Sequence, residues 1–148
     1  MSVTVFVDTN VLVYLRDRSE EEKQRRAAEW MALLWELRIG RLSTQVLQEY
    51  YVQVTRKLDP PRTTEEARED VLALGVWRPT VIDLRVMERA WTVQDRFGFS
   101  WWDALIVAAA LAGSCRYLLT EDLQDGQEVE GLRIVSPFAH EPEVVLGR

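Results

Sequence analysis

The sequence contains a single cysteine, a single histidine and no glycine-rich phosphate-binding loop. Cys115 cannot form an internal disulfide, which agrees with a reducing compartment. Because His140 is the only histidine, Ser-His and Cys-His catalytic pairs and a zinc site of His and Cys ligands are poorly supported. Neither G-x-G-x-x-G nor G-x-x-x-x-G-K-[ST] occurs, so nucleotide binding of those kinds loses its support.

Long apolar runs and an excess of basic residues are also missing. The longest apolar run, from Ala104 to Gly113, is shorter than the roughly 20 residues of a membrane-spanning helix, and the first residues lack the basic start of a signal peptide. We therefore expect a cytoplasmic protein without a membrane segment. The formal net charge of −6 argues against nucleic-acid binding through a broad basic surface. It does not exclude a nuclease whose carboxylates hold metal ions.

Short β-rich segments alternate with amphipathic segments at helical spacing, which indicates βαβ units and a mainly parallel sheet. With 148 residues, of which 47% are hydrophobic, we predict one three-layer α/β domain over residues 1–148. Strands are predicted over 3–7, 41–44, 79–82, 116–120 and 132–138, and helices over 10–16, 20–39, 44–58, 65–75, 84–96 and 101–113. The predicted N-caps are Ser19, Thr63 or Thr64, Asp83 and Ser100, and Gly40 and Gly98 are predicted helix stops.

Two acids follow predicted strands. Asp8 interrupts the apolar start of the chain directly after the first strand, and Asp122 comes just after the strand RYLLT. In an open parallel sheet, ligands bind outside the carboxyl ends of the strands, so both carboxylates converge if these strands are neighbours. The alternatives are that Asp8 caps the helix beginning near Asn10 and that Asp122 lies in a solvated acidic turn.

Two further acids lie on predicted helices. Asp103 shares a helix face with Ile106 and Val107, where a buried carboxylate needs a partner, a proton or a metal. Its spacing from Ser100 also fits a capping box. Glu49 lies at the flank of an apolar stripe, where a solvated charge is the simpler interpretation. Together with the acids after the strands, this pair suggests a site for Mg²⁺ or Mn²⁺.

Four segments carry a resemblance to a known family. These are VDTNVLVY at the start of the chain, LQEYY around Glu49, SWWDALIVAAA and LLTEDLQDG. In order and spacing they resemble the PIN-domain ribonucleases, in particular the VapC toxins of type II toxin-antitoxin systems. The resemblance implies a PIN-like fold with a mainly parallel central sheet of about five strands flanked by helices. It also implies metal-dependent endonuclease activity on RNA.

The resemblance also implies the site and its partners. The matching acids are Asp8, Glu49, Asp103 and Asp122, and the matching supporting residues are Thr9, Asn10 and Thr120. Mg²⁺ or Mn²⁺ would be held mainly by Asp8 and Asp103, with Glu49 and Asp122 binding directly or through water, and Asp125 is a further acid nearby. Cleavage would leave 5′-phosphate and 3′-hydroxyl ends. Members of this family usually form homodimers and are silenced by a small VapB-type antitoxin.

Two other functions remain open. Asp8 could be the nucleophile of a phosphohydrolase, although that family has a second Asp where this chain has Asn10. The chain could instead be a binding module for RNA or protein, although a domain freed from catalysis has no physical reason to keep a costly carboxylate cluster. Trp101 and Trp102, before Asp103, are bulkier than is usual in the PIN pattern.

Overall fold

The part of the chain that this computed structural model describes, residues 3–147, folds as a central sheet with helices on its faces. The strands are β1 (Val5–Val7), β2 (Gly40–Arg41), β3 (Tyr117–Leu119), β4 (Glu128–Val129) and β5 (Leu132–Val135). The helices are α1 (Thr9–Tyr14), α2 (Glu21–Leu37), α3 (Thr44–Arg56), α4 (Thr64–Leu74), α5 (Leu84–Phe97), α6 (Trp101–Ala112) and α7 (Pro142–Leu146). None of the helices within these described residues is long and apolar enough to cross a membrane.

The sheet is mainly parallel, as predicted. Its order is β2-β1-β3-β5-β4. β1 pairs in parallel with both β2 and β3, and β3 pairs in parallel with β5, whereas β4 runs antiparallel to its neighbour β5. From β1 the chain first adds β2 on one side and later β3 on the other. The carboxyl ends of β1 and β3 therefore form a switch point, where open α/β sheets bind ligands.

Burial explains why the central elements read as apolar in the sequence. All three residues of β1 are fully buried, as expected for a parallel strand covered on both faces. Helix α6 is buried at every position from Ala104 to Leu111, because it is apolar around its whole circumference. The buried β1 and the buried body of α6 therefore anchor the residues that follow β1 and begin α6.

Most predicted helix caps are confirmed. Thr63, rather than Thr64, begins α4 with a reciprocal capping box to Glu66. Asp83 and Ser100 accept the expected backbone N–H bonds at the starts of α5 and α6, and the left-handed Gly98 ends α5.

The predicted ends of α2 are wrong. Glu20, not Ser19, is the N-cap residue, and the Ser19 hydroxyl donates instead to Asp17. The helix ends at the left-handed Arg38, two residues before the expected stop. Gly40 lies in β2, where a Cβ would come within 2.4 Å of the Trp77 ring, so the glycine is needed for close packing rather than as a helix stop.

The strand predicted over 41–44 is shorter and begins earlier, since β2 covers Gly40–Arg41 and Ser43 already caps α3. Three other elements differ in whether they form at all. Residues 79–82 do not form a strand of the sheet, and only Thr80 makes an isolated bridge, to Ser43. Pro79 has no N–H for a strand ladder, which limits pairing there. The short β4 and α7 were not predicted, because two-residue strands and a five-residue helix leave too little periodicity to detect.

Candidate active site

Asp8 lies at the carboxyl end of β1 and begins α1 as its N-cap residue, with 5% of its surface exposed. Its Oδ1 accepts the backbone N–H of Thr9 at 2.7 Å. Its Oδ2 accepts the hydroxyl of Thr120 at 2.9 Å and a longer bond from Asn10 Nδ2 at 3.4 Å. Asp8 therefore caps α1 and also contacts Thr120, the residue that follows β3. Helix capping and a place at the edge of the sheet, the two interpretations of Asp8 from the sequence, are compatible.

Asn10 joins the acids that follow β1 and β3. Its Nδ2 donates to Asp122 Oδ2 at 2.9 Å and to Thr120 Oγ1 at 3.1 Å. Thr120 Oγ1 also accepts the backbone N–H of Asp122 at 3.1 Å. Because β1 and β3 are adjacent, the residues after them meet at one edge of the sheet, and Asp8 and Asp122 share this polar network.

Helix α3 brings Glu49 to the same edge. The Thr9 hydroxyl donates to Glu49 Oε1 at 2.7 Å, and Gln45 Nε2 donates to Glu49 Oε2 at 3.3 Å. Sequence reasoning missed Gln45, although it lies one helical turn before Glu49 and such a spacing permits a side-chain contact. Glu49 is thus tied to the site rather than freely solvated.

Asp103 occupies the first turn of α6 and is half-buried. Burial raises the pKa of its carboxyl, a hydrogen bond with Ser100 lowers the pKa in part, and the negative charges of Asp122 and Glu49 raise it again. These charges act on Asp103 because the start of α6 lies against α3, where Gln45 donates to the Trp102 carbonyl. The helix N-terminus also favours an anionic group there.

Burial dominates the electrostatics of Asp8 as well. It raises the pKa of the Asp8 carboxyl to about 7, against hydrogen bonds from Thr120 and Thr9 that lower it, and the charges of Asp122 and Glu49 raise it further. Perturbed carboxyl pKa values of this kind cluster at functional sites. In the absence of a cation, Asp8 therefore keeps its proton up to a pH near 7, well above the range of an ordinary aspartate.

The carboxylate oxygens of the four acids are ligands that suit a hard divalent cation, but the side chains are not arranged as a complete set of metal ligands. Within residues 3–147, no Lys or Arg forms an ion pair with any of the four acids. Asn10 Oδ1 is buried there without a hydrogen-bond partner. In the same range no three His, Cys, Asp or Glu side chains are positioned to hold a metal ion as they stand. Binding would therefore require side-chain adjustment around the fixed Asp8.

Asp125 and His140 contact each other at a different place. Asp125 Oδ1 accepts the backbone N–H of Ser136 at 2.8 Å, and its Oδ2 lies 2.8 Å from His140 Nε2. Both contacts tie the loop before β4 to the segment that follows β5. The further acid considered from the sequence thus has structural partners of its own.

The fold and the acid cluster define an α/β protein with an acidic site at the carboxyl edge of its sheet. The model of the PIN domain matches residues 5–125, which is most of the chain, and the chain therefore belongs to the PIN-domain family. No curated protein matches it in sequence.

Solved structures with the same fold come from toxin-antitoxin systems. A toxin-antitoxin complex from Klebsiella pneumoniae is 19% identical, covers 93% of this chain and 99% of its own, and has a TM-score of 0.63. DNA-bound VapBC from Salmonella typhimurium is 18% identical, with coverages of 90% and 97% and a TM-score of 0.58. VapC20 of Mycobacterium tuberculosis, described as a toxin that cleaves the sarcin-ricin loop, is 21% identical, with coverages of 78% and 87% and a TM-score of 0.54. At these identities the likeness shows the fold.

Proposed function

We propose that this chain is a divalent-metal-dependent RNA endonuclease that acts in the cytoplasm as the toxin of a toxin-antitoxin pair. The observation that carries the proposal is the buried Asp8, joined to Asp122 through Asn10, with the charges of Glu49 and Asp103 acting on the same edge of the sheet. Membership in the PIN-domain family and the toxin-antitoxin origin of the structural neighbours support it. The proposal includes a homodimer, which sedimentation velocity would test.

The acids divide into two roles in this proposal. Asp8 and Asp103 are the main metal ligands, and Glu49 and Asp122 complete the site directly or through water. When bound, Mg²⁺ or Mn²⁺ would supply Lewis-acid activation of water and of the scissile phosphate, and would neutralise the carboxylates.

The chain itself holds these carboxylates in place. Thr120 and the backbone N–H of Thr9 fix both oxygens of Asp8, so this carboxylate loses little freedom when it takes up a ligand. The Thr9 hydroxyl orients Glu49, and Asn10 orients Asp122. Hydrolysis at this site would leave a 5′-phosphate on one product and a 3′-hydroxyl on the other.

The proposal is tested on purified protein separated from any partner. We expect incubation with ribosomal and transfer RNA in Mg²⁺ or Mn²⁺ to give discrete fragments, and excess EDTA to abolish cleavage until Mn²⁺ is restored. Ligation of an adaptor that requires a 5′-phosphate would identify the product ends. Cleavage that persists in EDTA would contradict the metal mechanism. Hydrolysis of p-nitrophenyl phosphate without RNA cleavage would favour a phosphohydrolase. Binding of RNA without cleavage would favour a binding module.

A groove between α3 and α4 suits the antitoxin that this proposal requires. It encloses about 580 Å³ and is lined by Leu47, Gln48, Tyr51, Val52, Arg68, Val71 and Leu72. Val52 and Leu72 are exposed in it, although both are large and apolar. The groove lies along α3, the helix that carries Glu49. We propose that an apolar segment of a small VapB-type antitoxin binds here.

The antitoxin groove gives a direct prediction. Leu72→Asp should weaken antitoxin binding at least tenfold, because burial of a leucine side chain contributes about 1.5–3 kcal/mol and a buried unpaired charge is unfavourable. Calorimetry with the cognate antitoxin that this proposal requires would measure the loss, and RNA cleavage by the free variant should match wild type. Val144→Asp, at an equally exposed residue of α7, is the matched control. Equal affinities for wild type and Leu72→Asp would place the antitoxin elsewhere.

A further inference from the structure

A second cavity opens beside the acid cluster, and apart from Glu49 the proposed reaction uses none of the residues that line it. It encloses about 410 Å³, within the range of small-ligand sites, and is lined by Gln45, Gln48, Glu49, Ile82, Trp102 and Leu105. Glu49 belongs to both the cavity and the acid cluster. A molecule in this cavity would therefore lie next to whatever the acids hold.

Trp102 differs from the other exposed tryptophans. It is 63% exposed, whereas Trp30 and Trp77 are buried. Trp35 and Trp91 each pack against another indole, but no aromatic ring within residues 3–147 stacks on Trp102. A large apolar side chain left open at the rim of a cavity indicates a binding surface.

The backbone of Trp102 lies close to the acid cluster, and its side chain lines a cavity together with Glu49. Trp102 directly precedes Asp103, so their Cα atoms lie only about 3.8 Å apart. The carbonyl of Trp102 accepts a long bond from Gln45 Nε2 at 3.5 Å, and the same amide donates to Glu49. The backbone of Trp102 is thus linked through Gln45 to Glu49, so the start of α6 lies against α3.

The chemistry of the cavity favours a nucleobase over an anionic group. Ile82 and Leu105 give it apolar walls, Gln48 adds a neutral amide, and Glu49 disfavours another anion. An unpaired base offers a neutral π face that stacks on an indole without needing a defined sequence. In RNA, each base is joined through its sugar to the phosphates on either side of it. A phosphate at the acids therefore brings a flanking base within reach of Trp102.

We propose that Trp102 forms a stacking subsite for one unpaired nucleobase next to the scissile phosphate. This inference rests on the proposed ribonuclease function and adds a determinant of substrate choice. Substrates in which a flanking nucleotide is unpaired would be cleaved, and the same sequence held in a duplex would not. Trp102 positions the substrate and does not act on the reacting atoms.

The test combines a protein change with an RNA change. It uses an RNA that the wild-type chain cleaves in Mn²⁺, with each nucleotide around the scissile phosphate replaced in turn by an abasic residue. At one flanking position, wild type should lose about tenfold in kcat/KM, mainly through KM. Trp102→Ala should show the same loss on intact RNA and no additional loss on that abasic RNA. Trp102→Phe should retain most of the activity, since its ring still stacks.

Controls separate this inference from the proposed function. Trp91→Ala removes an exposed indole outside the cavity and should cleave like wild type. The subsite is overturned if Trp102→Ala cleaves intact RNA like wild type. It is also overturned if Trp102→Ala loses as much kcat/KM on the abasic RNA as wild type does. The ribonuclease function stands in both cases. A Trp102→Ala variant altered only in sedimentation or in antitoxin binding would assign the indole to a protein interface and overturn the subsite. Absence of any RNA cleavage by wild type would overturn both.

Discussion

Asp8→Asn should lower kcat/KM for RNA cleavage by about a thousandfold, which corresponds to about 4 kcal/mol of transition-state stabilisation. The substitution preserves size and keeps an oxygen to accept the Thr9 N–H, but it removes the negative charge that a metal ligand at this position supplies. Initial rates on a cleavable RNA in saturating Mn²⁺ would measure the loss, and circular dichroism would establish that the fold is unchanged.

Asp95→Asn is the matched control for this result. It makes the same chemical change at an exposed carboxylate of α5, away from the acid cluster, and should leave the rate unchanged. An Asp8→Asn variant that cleaves within a few-fold of wild type would remove Asp8 from the metal-binding role. The whole assignment of acids would then need revision, since the charges of Asp122 and Glu49 act on Asp8 and on Asp103 alike.

The same substitution should stabilise the metal-free protein at alkaline pH. In EDTA at pH 8, Asp8→Asn should raise the free energy of unfolding by on the order of 4 kcal/mol, since each pKa unit corresponds to about 1.4 kcal/mol. Burial holds the pKa of folded Asp8 near 7, whereas an unfolded aspartate titrates near 3.9. Between these values the folded state retains the proton more tightly, so wild-type stability falls as the pH rises from about 4 to about 7. Asparagine has no such proton to lose.

Urea unfolding from pH 4.5 to pH 8 would measure this difference. The two proteins should be close in stability at pH 4.5 and diverge as the pH rises, while Asp95→Asn follows wild type throughout. A difference that does not depend on pH would show that burial of the Asp8 charge is not its cause. Saturating Mg²⁺ should stabilise wild type and leave Asp8→Asn little changed, because a ligand that binds only the folded state raises its stability.

Local patterns were sufficient to predict much of this molecule. The apolar β-rich run before Asp8 specified β1, and the spacing of apolar residues specified the bodies of α2, α3 and α5. Caps such as Asp83 and Ser100 were recognisable because a cap depends on only a few neighbouring residues. The acids could be recognised for a similar reason, since a charged carboxylate next to an apolar segment is visible in the local sequence alone.

Other features depend on contacts between residues far apart in the chain. Gly40 reads locally as a helix stop, and only the packing of Trp77 against it shows why a side chain is excluded there. The strand predicted around Thr80 fails because a strand needs a neighbour with which to pair, and one bridge to Ser43 is all that the fold provides.

Some features of the candidate site likewise follow from the local sequence, and others follow from tertiary contacts. Sequence alone determined which acids are present and that Asp8 and Asp122 each follow a strand, because those facts depend on local order along the chain. Only the tertiary structure decided that β1 lies beside β3, that Asn10 bridges Asp8 and Asp122, and that Thr9 holds Glu49. It also decided that Trp102 stays open beside them. The reason is physical, since the contact of Thr9 with Glu49 spans 40 positions, and the contact of Asn10 with Asp122 and the pairing of β1 with β3 each span 112. Local propensity carries no information about such distant partners.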